Sequence, residues 1–238
     1  MHSDRRHGVH SSTPRQSLSR LELFILSTGV LAALASGVVT YRVVGPYGDG
    51  PFSGGFRRIP NPETGQSSLV HDFVHGSQPF RAVVDEGTGK MSELQVDTNA
   101  DGAEDTRAYL HGAAVTRVER DSDGDGTIDR WEYYNDTAQL QKVGFSLAGD
   151  GVVDAWAYYG TDQQFTVIEV STRRDRTVDR WEYYEGGVMV RVETDTTGDG
   201  QADTWSTYTN GILAETGVGS NEDEAEGGDA RPDRRGPQ

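Results

Sequence analysis

The chain has no cysteine. That excludes disulfides, thiolate metal sites, cysteine nucleophiles and a lipid-modified N-terminal cysteine. It says little about compartment, because an oxidising space permits disulfides without requiring them. Basic charge is scarce: 22 Lys and Arg stand against 38 Asp and Glu, a formal net charge of −16. Five of those bases (Arg5, Arg6, Arg15, Arg20, Arg42) fall in the first 44 residues beside only Asp4 and Glu22, leaving 17 basic and 36 acidic residues for the remainder. So acidic a chain repels nucleic acid and anionic headgroups, and attracts cations, multivalent ones most strongly. Apolar residues are few, at 34%, while glycine is abundant at 30 residues. This suits a thin, turn-rich, mainly β structure better than a thick-cored enzyme. No Ser sits in a nucleophile elbow, no Gly-rich phosphate loop follows a strand, and no isolated carboxylate pair stands apart from the repeats. The sequence reads as non-catalytic.

One long apolar run is present. Leu23 to Tyr41 holds 19 residues without a charge, nearly enough to span a hydrocarbon core of about 30 Å. The run has no polar face, which argues against a buried soluble helix. The four Arg ahead of it place the positive side inside and the remainder outside. Residues 21–44 therefore read as a transmembrane signal anchor, behind a basic, disordered tail at 1–20. A cleaved signal peptide is the alternative, cut after Ala33-Leu34-Ala35. Val38, Val39 and Tyr41 prolong the apolar run past that point and favour the anchor. The repeats are then extracytoplasmic, either membrane-anchored or, after cleavage, secreted or periplasmic. Residues 45–68 are rich in Gly, Pro and Ser and read as a linker. Residues 217–238 read as a disordered acidic tail.

Between them, residues 69–216 repeat at 24 or 25 residues. Five acidic segments begin at Asp97, Asp121, Ser146, Ser171 and Asp195. Their fifth position is always Asp (Asp101, Asp125, Asp150, Asp175, Asp199), and so is their ninth (Asp105, Asp129, Asp154, Asp179, Asp203). The sixth is Gly in four, with Arg176 the exception. The eleventh is Trp131, Trp156, Trp181 and Trp205, with Arg107 in the first repeat. Aromatic stretches such as Trp131-Glu132-Tyr133-Tyr134 predict strands, and turns such as Glu185-Gly186-Gly187 close hairpins. An aliphatic stands three residues before each loop: Leu94, Val118, Val143, Ile168, Val192. These columns and the Trp/Tyr columns are expected to share one core, since a lone hairpin cannot bury its apolar face. Phe80 to Val96 reads as a leading hairpin that caps the array. The expected fold is mainly β: tandem hairpins linked by Asp/Gly-rich loops, preceded by one membrane helix.

The second loop carries the clearest chemistry: Asp121-Ser-Asp123-Gly-Asp125-Gly126-Thr127-Ile128-Asp129-Arg-Trp-Glu132. It matches the full twelve-residue pattern of an EF-hand calcium loop. Calcium takes six to eight hard oxygens. Asp121, Asp123 and Asp125 supply carboxylates, Thr127 a backbone carbonyl, Asp129 a contact through water, and Glu132 a closing carboxylate. The loop resembles the EF-hand family, and its spacing is also similar to dockerins and thrombospondin type 3 repeats. The resemblance implies ion binding at the loops. It does not extend to the flanks, which are helices in EF-hands and strands here, so Glu132 is either a ligand or a solvent-facing strand residue.

Two other loops keep part of the pattern. Asp97, Asn99, Asp101, Ala103 and Asp105 form one ligand set; Asp195, Thr197, Asp199, Gln201 and Asp203 form another. The loop from Ser146 lacks two acidic ligands and should bind weakly or not at all. The loop from Ser171 reads Ser171-Thr-Arg173-Arg174-Asp175-Arg176. There a guanidinium is expected to replace the ion and pair with Asp175 and Asp179. Turn chemistry competes with metal binding as an explanation of the Asp and Gly columns. Positions five and nine persist where one and three fail, so a turn role is expected for those two.

His71 and His75 are a weak candidate metal pair, since residues four apart converge only on a helix. Tyr134, Tyr159, Tyr184 and Tyr208 fall on the strand face opposite the Trp column. They are candidates for an outer, sugar-stacking surface, distantly similar to choline- or wall-binding repeats. The expectation is a Ca2+-binding structural or adhesive protein, partnered with a membrane through one N-terminal helix and with a cell-surface glycan or protein, not with nucleic acid. A glycan- or cell-wall-binding module with calcium as scaffold ion, or a calcium buffer or sensor, are the alternatives.

Overall fold

The computed structural model describes residues 57–60, 67–75, 78–86 and 88–219. The chain divides into Met1–Thr40 and Tyr41–Gln238, and every described residue belongs to the second unit. The expected basic tail, the membrane segment 21–44 and nearly all of the acidic tail lie outside the described residues. Among the described residues, no helix is long and apolar enough to cross a membrane.

Fourteen strands form one antiparallel sheet in strict sequence order. They are β1 (Arg57–Pro60), β2 (Ser67–His75), β3 (Gln78–Val84), β4 (Met91–Val96), β5 (Thr106–His111), β6 (Ala114–Arg120) and β7 (Arg130–Tyr134). There follow β8 (Leu140–Phe145), β9 (Ala155–Tyr159), β10 (Phe165–Val170), β11 (Arg180–Glu185), β12 (Val188–Thr194), β13 (Thr204–Thr209) and β14 (Ile212–Val218). The hairpin array expected from the repeat is thus present, and β3–β4 is its leading hairpin. One further hairpin precedes it: β1 falls inside the stretch expected to be a linker.

Short turns close one end of the hairpins. Gly186 and Gly187 have φ of 55° and 78°, the conformation that a two-residue primed turn demands and glycine supplies without strain. At the other end the acidic loops connect one hairpin to the next. Each hairpin from β3–β4 to β13–β14 has the same irregularity: the register shifts by one residue close to the turn. The residues left unpaired are Ser92, Thr116, Gln141, Thr166, Val190 and Ala214. In three of them the hydroxyl donates to a carbonyl across the hairpin: Ser92 to Val83, Thr116 to Tyr109 and Thr166 to Tyr158. A bulge raises the local right-handed twist, and here it recurs at the same place in six consecutive hairpins.

The two faces differ. One cross-strand row runs Val118, Glu132, Val143, Ala157, Ile168, Glu182 and Val192. Val118, Val143, Ala157 and Ile168 in it are fully buried. Among the described residues, extensive contact runs only between consecutive strands, and aromatic rings pack across them on this face. Phe165 meets the Tyr184 ring edge-on at 4.6 Å, and Tyr159 meets Phe165 at 6.4 Å. Full burial of a side chain such as Ile168 is worth about 1.5–3 kcal/mol. The other face carries Glu119, Trp131, Gly144, Trp156, Glu169, Trp181, Glu193, Trp205 and Gly217 in one row. Trp131, Trp156 and Trp205 are half-exposed there, whereas Trp181 is buried. The aliphatic and Trp columns therefore do not share one core, contrary to expectation. Strand alternation puts them on opposite sides, and the aliphatic side is the more fully buried.

Candidate metal centre

Every acidic loop is built on the same frame of backbone N–H groups. At position nine, Asp105 accepts from the N–H of Thr98 (2.8 Å) and Asn99 (3.1 Å). Asp129, Asp154, Asp179 and Asp203 accept likewise from the start of their own loops. At position five, Asp101, Asp125, Asp150, Asp175 and Asp199 each accept from the N–H two residues on, which belongs to Ala103, Thr127, Val152, Thr177 and Gln201. These are side-chain-to-backbone turns of the kind Asp forms without a metal ion. The persistence of positions five and nine follows from this, since all five loops need the same closure.

Position one adds a second clasp. In loop 121–129, Asp121 accepts from Gly124 (2.8 Å), Asp125 (3.2 Å) and Gly126 (2.7 Å). Asp97 accepts from Asp101 and Gly102, and Asp195 from Gly198 and Gly200. Where position one is Ser146, the hydroxyl accepts from Asp150 N–H at 3.2 Å. At position three, Asn99 and Asp123 accept from Asp101 and Asp125, whereas Thr197 donates its hydroxyl to Asp195.

Three of the predicted ligands converge. Asp121, Asp123 and Asp129 bring carboxylate oxygens within 4.8 Å of one another, the one such acidic group among the described residues. Asp129 is buried and Asp123 exposed. Burial pushes the Asp129 carboxyl above the ordinary carboxylate range, and the charges of Asp123 and Asp121 push it the same way against the bonds from Ser122. The donor set is all hard oxygen, with no nitrogen or sulfur ligand. It is the type that hard divalent cations take, and the three carboxylates would leave the remaining positions to backbone carbonyl and water. Asp125 lies outside the converging trio.

Glu132 is placed elsewhere. It lies on the aliphatic face and is 1% exposed. Its Oε1 accepts from Arg130 Nε at 2.7 Å and its Oε2 from the Tyr134 hydroxyl at 2.6 Å. It belongs neither to the Asp trio nor to the solvent, so both expectations for it are corrected. An EF-hand brings position twelve back on a helix, whereas a strand turns that residue to the sheet face. The same arrangement recurs as Arg180, Glu182 and Tyr184, with bonds of 2.7 and 2.8 Å. The repeated pentapeptide Arg-Trp-Glu-Tyr-Tyr was the signal in the sequence for these paired groups. They also relocate the tyrosines. Tyr134, Tyr159, Tyr184 and Tyr208 do lie opposite the Trp column, but on the aliphatic face. Tyr184 is buried and the other three are half-buried. Burial and the nearby Glu132 push the Tyr134 phenol far up.

The loop at 171–179 holds a cation of its own. Arg173 Nε lies 3.1 Å from Asp179 Oδ2 and 3.7 Å from Asp175 Oδ2, the pairing expected from the sequence. Arg176 stands where the other loops have Gly and takes a φ of 71°. His71 lies on β2, buried and stacked on Phe73 at 5.9 Å. Backbone positions four apart on a strand are about 13 Å distant, so the paired-ligand geometry with His75 is not formed.

Consecutive loops touch. Asn99 Nδ2 is 3.5 Å from where a Cβ on Gly124 would stand, and Thr127 Cγ2 is 3.1 Å from the same point on Gly151. The Asp150 carboxyl is held below the ordinary range by the Val152 N–H and the Ser146 hydroxyl, with a smaller pull from the charge of Arg176. The five loops thus make one ridge along the margin of the sheet.

No protein-family model and no curated protein matches the chain. Among solved structures, one similarity is to the complex of accessory secretory proteins 1, 2 and 3 of Streptococcus pneumoniae. It has 10% identity and a TM-score of 0.30, over 48% of this chain and 19% of that one. Another is to a GtfA/B complex bound to UDP and GlcNAc, with 12% identity and a TM-score of 0.19, over 79% of this chain and 36% of that one. The chain therefore spans about a fifth and about a third of these proteins, and at such scores neither similarity identifies a fold.

Proposed function

We propose that this is a calcium-binding, non-catalytic repeat protein with a structural or adhesive role. Its repeats stand outside the cytoplasm behind one N-terminal membrane segment. The observation that carries the reading is the convergence of Asp121, Asp123 and Asp129 within the loop that has the full twelve-residue calcium pattern. Three carboxylates held so close repel one another, and a divalent ion relieves that repulsion. Metal binding then adds to the stability of the folded array. The loops from Asp97 and Asp195 are weaker sites of the same kind.

Calorimetric titration of the full chain with calcium, with thermal melts in calcium and in chelator, tests this. At least one site and a higher melting temperature in calcium are expected. Asp123→Asn retains an acceptor for the Asp125 N–H (3.3 Å) and removes one charge. It should leave the melt in chelator no lower than in the wild type, because it relieves part of the repulsion, and weaken the tightest site about tenfold. Equal affinity in the wild type and Asp123→Asn would remove the trio from the site.

A second reading, glycan binding, has one favourable observation. Trp131, Trp156 and Trp205 are half-exposed on alternate strands of one face, and alternate strands lie about 10 Å apart. Against it, Lys142 Nζ stands 4.7 Å from the Trp156 ring centroid and Arg191 Cζ 5.1 Å from that of Trp205. Those indoles already have cationic partners within the chain. A Trp131→Ala variant that lost polysaccharide pull-down would favour this reading over the first.

A further inference from the structure

Arg173 occupies position three of its loop, the position Asp123 holds in loop 121–129. Its guanidinium turns back onto Asp179 and Asp175, the counterparts of Asp129 and Asp125. Asp179 is 2% exposed, and it also accepts from the Thr172 N–H (2.8 Å) and hydroxyl (2.9 Å). Position one, an aspartate in the loop with the trio, is Ser171 here, and its hydroxyl donates to Asp175. The loop has lost two acidic ligands, gained a cation, and kept its shape.

The same guanidinium reaches the next loop. Its Nη1 and Nη2 lie 3.6 and 3.7 Å from where a Cβ on Gly198 would stand, beside the clasp that Asp195 makes with Gly198 and Gly200 (2.6 and 2.7 Å).

We propose that Arg173 is a resident cation of the ridge, filling in its own loop the place a metal ion would take and lowering the metal affinity of the following loop at Asp195 to Asp203. A guanidinium keeps its charge at every physiological pH and cannot diffuse away. The loop at 171–179 is therefore closed with or without calcium. A divalent ion brought close to the same guanidinium is repelled even at the dielectric of water. The first half of the proposal is independent of calcium; the second rests on the calcium reading above.

The experiment uses the full chain and four variants: Arg173→Ala, Arg173→Lys, Asp195→Ala and the double variant Arg173→Ala/Asp195→Ala. In chelator, Arg173→Ala should lower the melting temperature by about 2–4 °C, and Arg173→Lys should restore most of it. An unchanged melt in chelator for Arg173→Ala would overturn the resident-cation half. In calorimetric titration with calcium, Arg173→Ala should tighten one weak site about tenfold, and that gain should vanish in the double variant. No gain, or a gain that survives Asp195→Ala, would overturn the second half. If the wild type takes up no calcium at all, the calcium reading falls, and the melts in chelator still decide the role of Arg173.

Discussion

The hydroxyl of Tyr134 and the nitrogen Nε of Arg130 both donate to Glu132, at 2.6 and 2.7 Å, on a face where Arg130 and Glu132 are each 1% exposed. A buried pair of charges gives little net stability compared with an apolar replacement, but removing one partner strands the other. Here the pair fixes how Tyr134 lies on the sheet. It also takes position twelve out of the calcium pattern.

Glu132→Ala should therefore act on the fold and not on the ion. Stability is expected to fall by about 3 kcal/mol, read from urea unfolding in saturating calcium. The number of calcium ions bound and their affinity should match the wild type. A variant that kept its stability but lost its tightest calcium site would return Glu132 to the ligand set.

Acid should act through Asp72, at the other end of the array. Burial raises its carboxyl, but hydrogen bonds from Arg81 and Arg57 and their charges outweigh this and hold it below the ordinary carboxylate value of 3.8. A carboxylate lowered by folding contributes stability that is present above its unfolded pKa and is lost as pH falls through its folded pKa. Arg81 donates to Asp72 at 2.8 Å and also pairs with Glu104, so Arg81→Met removes the stronger of the two partners. Melting of this variant should lie below the wild type near pH 5 and draw closer to it as pH falls toward about 2, with both curves compared in chelator. Superimposable profiles would show that Asp72 is not held by Arg81 in solution.

Gly144 should tolerate no side chain. A Cβ there would stand 2.9 Å from Cζ3 and 3.1 Å from Cη2 of Trp156, and 3.2 Å from Cγ1 of Val153. Gly144→Ala should cost about 1–3 kcal/mol by overpacking. It should also displace the indole, visible as a red shift of tryptophan emission. An unshifted spectrum with wild-type stability would mean that the ring does not lie over this strand.

Much of this architecture was legible in the sequence, for identifiable reasons. The Asp columns at positions five and nine located all five loops, because every loop closes on the same backbone N–H groups. Leu94, Val118, Val143, Ile168 and Val192 were found because burial repeats with the unit. A guanidinium paired with Asp175 and Asp179 was legible because charge has to balance around them, but the choice of Arg173 over Arg174 and Arg176 was not. The more buried side was not legible from alternation alone. Alternation separates Trp131 from Glu132 but does not say which faces water, and the bulge residues Gln141 and Val190 look like any strand residue. Glu132 was misplaced because the pattern it completes belongs to loops flanked by helices. The β1–β2 hairpin was missed in part because Arg57–Pro60 is short and lies in Gly/Pro-rich surroundings.

The recurring bulge also makes the array tolerant of one kind of change and intolerant of another. Ser92, Thr116, Gln141, Thr166, Val190 and Ala214 differ widely in chemistry, so identity at that point is loosely specified. Residue number is not. Deleting one of them would join the pairings on either side into a regular ladder, keeping every other side chain on its face but removing the extra twist the bulge puts into that hairpin. For these hairpins, the presence of an extra residue matters more than which side chain it carries.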